Sequence, residues 1–294
     1  MYAITGATGN TGKLIAEALL SKGKKVRVIG RDAGRLKPLA DKGAEAFVGS
    51  LDDAAAMTRA FTGAKAVYAM TPPNPAAKNL RDDQNKIGAA LATAIANARV
   101  QYVVNLSSIG AHLSEKVGPI KGLHDQEERL NKIKEAHVIH LRPGFFMENL
   151  YWNIDLIKKM GINGGPLKPD LPISMIATQD IAAEAVRLLL DLKFTGKSVK
   201  ELMGQRDVTM AEVTQALGKA IGKPDLKYVQ FPYEEAEKAM LGMGLSPSVA
   251  QAYIEMYRAF NDGVVRSTEK RLAANTTPTS IEEFSNVFAA VYRG

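Results

Sequence analysis

The chain has no cysteine, which excludes disulfides, thiolate metal sites, iron–sulfur clusters and a cysteine nucleophile. That absence fits a reducing compartment. No apolar run reaches roughly 18 residues, the length a membrane-spanning helix needs, so no membrane partner is expected. A glycine-rich turn begins at the sixth residue, where the apolar core of a secretory leader would lie, and the expectation is a soluble cytoplasmic protein. Blocks of like charge are also missing, since acids and bases interleave as in Arg81-Asp82-Asp83 and Glu127-Glu128-Arg129. The net charge of +7 and the pI near 9.3 therefore read as a solvated basic surface that attracts an anionic ligand, with no nucleic-acid face. Among the four histidines, His137 and His140 lie three apart on one strand and face opposite ways, so no metal site is expected. Internal repeats and low-complexity segments are absent.

What is present is an alternation. Short apolar runs at residues 2–5, 26–29, 44–48, 66–70, 102–106 and 138–141 are separated by segments of helical period, such as 79–98 with Leu80, Ile87, Leu91 and Ile95. Strands alternating with helices imply right-handed crossovers and an α/β fold, a doubly wound parallel Rossmann sheet covered on both faces. Residues 1–147 are assigned to this nucleotide-binding domain, with 173–195 returning to it; 148–172 and 196–294 are assigned to a smaller, mostly helical domain over the substrate. Within the latter, 161–172 reads as a Gly/Pro-rich loop, 198–203 and 227–231 as strands, and 233–243, 247–261 and 280–292 as helices. Thr178 or Asp180 is expected to cap the helix near 178–192.

Ligands on such sheets bind beyond the carboxyl ends of the strands. After the first strand come Gly6, Thr8, Gly9, Asn10, Thr11 and Gly12. Gly6 permits the tight turn, Gly9 the approach of a phosphate, and Gly12 close packing of the helix whose positive end faces the anion. After the second strand, Arg31, with Arg35 and Lys37 beyond it, favours the extra phosphate of NADP(H) over NAD(H), while Asp32 argues the other way. After the third, Gly49, Ser50, Leu51 and Asp52 are placed at the adenine; either Asp52 accepts from its amine, or Asp52 or Asp53 only caps the following helix. After the fourth, Met70, Thr71 and Pro72 begin a proline-stiffened segment that either walls the ribose or merely turns. After the fifth and sixth, Ser107 and Ser108 are candidates to hold a substrate oxygen, Pro143 and Gly144 to contact the carboxamide, and Phe145 with Phe146 to wall the nicotinamide. Val249, Tyr253, Met256, Tyr257 and Phe260 share one helical face, which reads either as core or as an apolar wall for a flat aromatic substrate. Tyr151 and Trp152 carry the same two readings.

These residues resemble the short-chain dehydrogenase/reductase superfamily, and within it the atypical NmrA-like branch. The resemblance rests on Gly6-x-x-Gly9-x-x-Gly12, on 103–108 ending in Ser107-Ser108, on His124 and Glu128 of the next helix, on 141–150 around Arg142-Pro143-Gly144-Phe145, and on Asp180-Ile181-Ala182. It covers about the first two hundred residues well and the remainder only in outline. Ordinary members carry a Tyr-x-x-x-Lys pair, the tyrosine donating a proton. No tyrosine here has a lysine four residues on; registering the helix on Glu128 puts His124 at the lysine position and Ile120 at the tyrosine position. The resemblance thus implies a departure from alcohol dehydrogenation, whose alkoxide needs a proton partner, while hydride transfer to a quinone survives because a reduced quinone oxygen is a weaker base. His124, with Glu128 one turn on to orient and charge it, is the candidate to hydrogen-bond the ribose or polarise a carbonyl, the other reading being a surface histidine in an i,i+4 pair. Two functions follow: NADPH-dependent reduction of a quinone or similar conjugated carbonyl, or a non-catalytic NADP(H) sensor acting through a regulatory protein partner.

Overall fold

Strands covered on both faces need no polar alternation, and the fully buried runs of the first half form such strands in the computed structural model, which describes residues 1–294. In chain order the elements are β1 (Tyr2–Ile4), α1 (Asn10–Ser21), β2 (Val26–Gly30), α2 (Ala33–Ala40), β3 (Glu45–Val48), α3 (Ala54–Phe61), β4 (Ala66–Ala69), α4 (Leu80–Asn97), β5 (Tyr102–Leu106), α5 (Ile120–Asn131) and β6 (His137–Pro143). There follow β7 (Phe145–Phe146), a 3-10 helix (Met147–Asn153), α6 (Ile154–Met160), β8 (Ile162–Gly165), β9 (Ile173–Ile176), α7 (Thr178–Asp191) and β10 (Lys197–Leu202). The chain ends with β11 (Asp207–Val208), α8 (Met210–Ala220), β12 (Lys227–Gln230), α9 (Tyr233–Gly242), α10 (Pro247–Asn261) and α11 (Ile281–Arg293).

Seven strands make one all-parallel sheet in the order β10-β6-β5-β4-β1-β2-β3. The order reverses between β1 and β4, and a crevice opens at such a switch point. On one face α1 and α7 bury Ile15, Leu19, Ile181 and Leu189; on the other α3 and α4 bury Met57, Phe61, Leu91 and Ile95. The helix starts are set by side-chain caps: Asp32, Asp53 and Asn79 accept amides of α2, α3 and α4, and Thr209 and Ser280 form capping boxes on α8 and α11.

The doubly wound sheet matches the sequence expectation, and four details differ from it. Residues 197–202, assigned to the smaller domain, add the seventh strand beside β6. Residues 173–176 leave the main sheet and pair with β7 and β11, while Ile176 and α7 pack on the Rossmann core. The supposed loop 161–172 contains β8, whose Ile-Asn-Gly-Gly sequence pairs with β12; a Cβ on Gly164 would stand 2.6 Å from the Phe231 ring. Neither Thr178 nor Asp180 caps α7. The Glu148 carboxylate accepts from the Thr178 amide (2.9 Å) and hydroxyl (2.6 Å), while Asp180 accepts from the Thr279 amide (3.0 Å) and hydroxyl (2.7 Å) and ties the C-terminal segment to α7.

His140, buried on β6, accepts at Nδ1 from the Asn105 amide (3.1 Å) and donates from Nε2 to the Asn131 side-chain oxygen (3.0 Å), an arrangement suited to the neutral ring. Burial lowers its pKa from 6.5 to about 4. In the unfolded chain the ring protonates near pH 6.5, so the stabilising contribution is complete above that pH and is lost as pH falls from 6.5 to about 4. The loss is expected to reach at most about 3 kcal/mol. Urea midpoints measured across that window should fall more steeply for the wild type than for His140→Gln; parallel curves would refute the assignment.

Candidate active site

Gly6 has φ of +60°, and a Cβ there would meet the Met70 sulfur at 2.5 Å; a Cβ on Gly12 would meet the Gly6 carbonyl oxygen at 2.3 Å. The first turn of α1 is thereby pressed against the end of β1. Gly9 precedes that turn and supplies no side-chain cap, leaving the leading amides of α1 free for an anion. These features fit a dinucleotide pyrophosphate.

The turn opens into a polar groove of about 640 Å³ lined by Gly6, Thr8, Gly9, Arg31, Arg35, Leu51, Asp52, Met70 and Pro72 from the expected set. The Arg35 guanidinium reaches the Thr8 carbonyl at 3.4 Å. Asp32 turns its Oδ1 to the Gly34 (2.7 Å) and Arg35 (3.2 Å) amides as the cap of α2. The two readings of Asp52 separate: Asp53 is the cap of α3, and Asp52 pairs with Lys86 at 2.6 Å. The Lys86 ammonium, followed by the Ser50 hydroxyl, holds the Asp52 carboxyl below the usual carboxylate range. Gly49 and Ser50 line the groove beside Leu51 and Asp52; Lys86 also lines it and was missed, because its pairing with Asp52, 34 residues away, has no local signature.

Other expected site residues lie off the groove. Asn10 is exposed on the first turn of α1, Thr11 is buried with its hydroxyl accepting from Tyr68 (2.9 Å), and Gly12 serves packing. Thr71 is buried, and Pro72 to Pro75 form the wall in its place. That wall is fastened to α10: the Ser246 amide donates to the Pro75 carbonyl (2.8 Å), its hydroxyl to Ala77 (2.5 Å), and the Leu80 amide to the Ser248 hydroxyl (3.0 Å).

At the serine strand the Ser107 hydroxyl donates to Glu127 at 2.5 Å, and Glu127 holds Arg142 through two bonds of 2.9 and 2.5 Å. The proton of Ser107 is thus committed to a buried ion pair, which the sequence reading did not find. Ser108 donates to the Ile109 carbonyl. His124 is half-buried, and its Nδ1 donates to the Ala111 carbonyl at 2.9 Å, leaving Nε2 as the acceptor of the neutral ring. The expected orienting partner was Glu128, but that residue is exposed and makes no bond to the imidazole. Pro143 and Gly144 are buried; a Cβ on Gly144 would stand 2.3 Å from the Ser174 carbonyl oxygen, so this glycine admits β9 and does not face a ligand. No cluster of three potential metal-ligating side chains occurs.

Phe145 lines a second, apolar cavity of about 430 Å³ walled by Leu150, Trp152, Met240, Tyr253, Met256 and Tyr257 among others. The aromatic face of α10 therefore divides: Tyr253, Met256 and Tyr257 wall the cavity, Val249 packs on Ala77 and Leu80, and Phe260 meets Phe145 edge-on at 6.1 Å. Tyr151 stacks on Phe288 in the core, and Trp152 stands half-exposed at the rim.

The NmrA-like family matches residues 2–285, and the chain belongs to that family. An NAD(P)H azoreductase of Xenophilus azovorans is 30% identical over 257 residues, covering 87% of this chain and 86% of that protein. The crystal structure of the NADPH-dependent quinone oxidoreductase QOR2 of Escherichia coli complexed with NADPH has a TM-score of 0.81 at 23% identity, covering 98% of this chain and 99% of that one. That of Citrobacter sp. triphenylmethane reductase complexed with NADP(H) has a TM-score of 0.82 at 20% identity, covering 98% and 100%. At these identities the two structures establish a shared fold, the Rossmann-like α/β architecture.

Glu127→Ala strands the Arg142 guanidinium in the interior and is expected to cost about 3–5 kcal/mol. Ser107→Ala removes one donor to the carboxylate and leaves the pair intact, and should cost less, about 1.5–3 kcal/mol. Equal urea midpoints for the two variants would show that Glu127 and Arg142 are not an interdependent buried pair.

Proposed function

We propose that this NmrA-like chain is an NADPH-dependent oxidoreductase that passes hydride to a quinone or similar conjugated carbonyl acceptor. The observation that carries the reading is the uncapped start of α1 over a glycine turn with Arg31 and Arg35 in the same groove, a site built for a dinucleotide bearing extra negative charge. When bound, the nicotinamide supplies the hydride. The free amides of α1 hold the pyrophosphate, Leu51 and Asp52 border the adenine, and Met70 and Pro72 wall the ribose. Arg31 and Arg35 take the 2′-phosphate. Asp32, with Oδ1 engaged by two amides, competes poorly for a ribose diol, which favours NADPH over NADH.

On the acceptor side, Phe145 joins the carboxyl end of β6 to the apolar cavity and packs against the acceptor. His124, with Nδ1 fixed on Ala111, presents Nε2 for a hydrogen bond near the ribose or the acceptor. Ser108 is the serine hydroxyl not tied to Glu127; its proton goes to the Ile109 carbonyl, and its oxygen is left to accept from a bridging water. A phenolic product needs little help from a general acid, and positioning supplies most of the rate. The chemistry of the named relatives, reduction of dyes and quinones, supports this class of acceptor.

Absorbance at the nicotinamide band, followed with NADPH or NADH and a panel of quinones, tests the proposal. Hydrogen bonds to a charged group are worth ~1.5–3 kcal/mol, so kcat/KM should favour NADPH by about ten- to a hundredfold. Arg31→Ala should remove most of that preference. Cofactor binding with no acceptor-dependent oxidation would overturn the enzyme reading in favour of an NADP(H)-binding regulator.

A further inference from the structure

We propose that the Tyr257 hydroxyl is the hydrogen-bond donor that seats the acceptor, and that the acceptor is a neutral, flat aromatic carbonyl compound; this rests on the oxidoreductase reading above. The apolar cavity of about 430 Å³ has the size of a small-ligand site and is walled largely by aromatic and methionine side chains. Asp155 and Lys159 are its only charged lining residues, and they are bonded to each other at 3.0 Å. An anionic ligand would lose its hydration here and find no free cation.

Among the uncharged polar groups of the wall, the Asn149 amide and the Trp152 indole belong to exposed residues, and two others are bonded within the protein. Tyr228 donates its single proton between the Gly165 (3.1 Å) and Leu167 (2.9 Å) carbonyls, and the Asn153 amide donates to Asn163 (2.7 Å). The Tyr253 and Tyr257 hydroxyls, one helical turn apart on α10, have no hydrogen-bond partner in the protein. Position along α10 distinguishes them. Tyr253 lies against the half-exposed Trp152 at the mouth (ring centroids 5.8 Å apart), whereas Tyr257 is three residues from Phe260, which touches Phe145. Tyr257 therefore stands on the side where the sheet ends. Burial pushes its pKa well above the ordinary phenol value, with the neighbouring Tyr253 adding to the rise, so the hydroxyl stays protonated and donates. A ligand carbonyl completes a bond that the empty wall leaves unmade, and a hydrocarbon of the same shape does not.

Trp152 is the single tryptophan of the chain and stands at the rim, so its fluorescence reports occupancy without turnover. Titration without NADPH should show menadione binding at least about tenfold tighter than its 3-sulfonate, and tetralin, fused rings without oxygen, should displace menadione. Tyr257→Phe should weaken menadione by about three- to tenfold and leave tetralin unchanged, as loss of one hydrogen bond predicts. Tyr253→Phe should have a smaller effect. The seat is refuted if Tyr257→Phe leaves menadione binding unchanged or weakens tetralin equally, if Tyr253→Phe carries the loss, if the sulfonate binds as well as menadione, or if menadione does not bind. NADPH oxidation by the same samples separates the two readings. Tyr257-dependent binding without oxidation would keep the seat and remove the oxidoreductase, while oxidation with Tyr257-independent binding would do the reverse.

Discussion

The pressing of α1 onto the turn after β1 is the contact on which the site depends. With a Cβ at position 12 only 2.3 Å from the Gly6 carbonyl oxygen, any side chain there would push the helix off the strand end and carry its leading amides away from the groove. The same turn is closed from the other side by Met70, whose sulfur fills the space beside Gly6. Because β1 and β4 are neighbours at the point where the strand order reverses, these contacts define the floor of the crevice. The groove is thus a consequence of topology, and two glycines keep it open.

The second half of the chain is held to this frame by polar links. Glu148 and Asp180 fasten the 3-10 helix after β7 and the segment before α11 to the start of α7. Glu201, buried on β10, accepts from the hydroxyls of Ser267 and Thr268 and the amides of Thr268 and Glu269, and so anchors the segment that leads to α11. Such carboxylates cost more to bury than an apolar contact would, and they are tolerated because each is fully bonded. Their pairing is directional, which apolar packing is not. It sets where residues 267–269 and 279 meet β10 and α7.

The sequence made the Rossmann half legible because its signals are local. An apolar run, a helical period and a glycine turn each fit within one element and its neighbour, and β1 to β6 appear where they were expected. The remainder depends on partners far apart in the chain. Ile162-Asn163-Gly164-Gly165 has the composition of a turn and becomes a strand only because residues 227–230 arrive beside it. Residues 197–202, Lys-Ser-Val-Lys-Glu-Leu, are mostly polar with no period-2 apolar pattern, and their place at the edge of the main sheet, beside β6 alone, is what makes them a strand. Within the site, spacing placed His124 one turn from Glu128 but said nothing of the Ala111 carbonyl that takes its proton. The i,i+4 rule states which residues can meet, and tertiary partners decide which do.

The missing Tyr-x-x-x-Lys pair follows from how α5 is used. Its inward residues are committed: Glu127 to Ser107 and Arg142, Gly122 to the close approach of Gln84 on α4, and Ile120 to the core near the helix start. A phenol at position 120 would have to be accommodated among buried Ile109, Ala111 and Val117. On another element, α10, unbonded hydroxyls reach an apolar wall that ends at Phe145. The tether from Ser246 and Ser248 to residues 75–80 runs from the start of that helix to the proline wall of the groove. The wall of the polar groove and the wall of the apolar cavity are thus joined through Ser246 and Ser248. An acceptor that needs orientation more than it needs an acid is the chemistry such an arrangement suits.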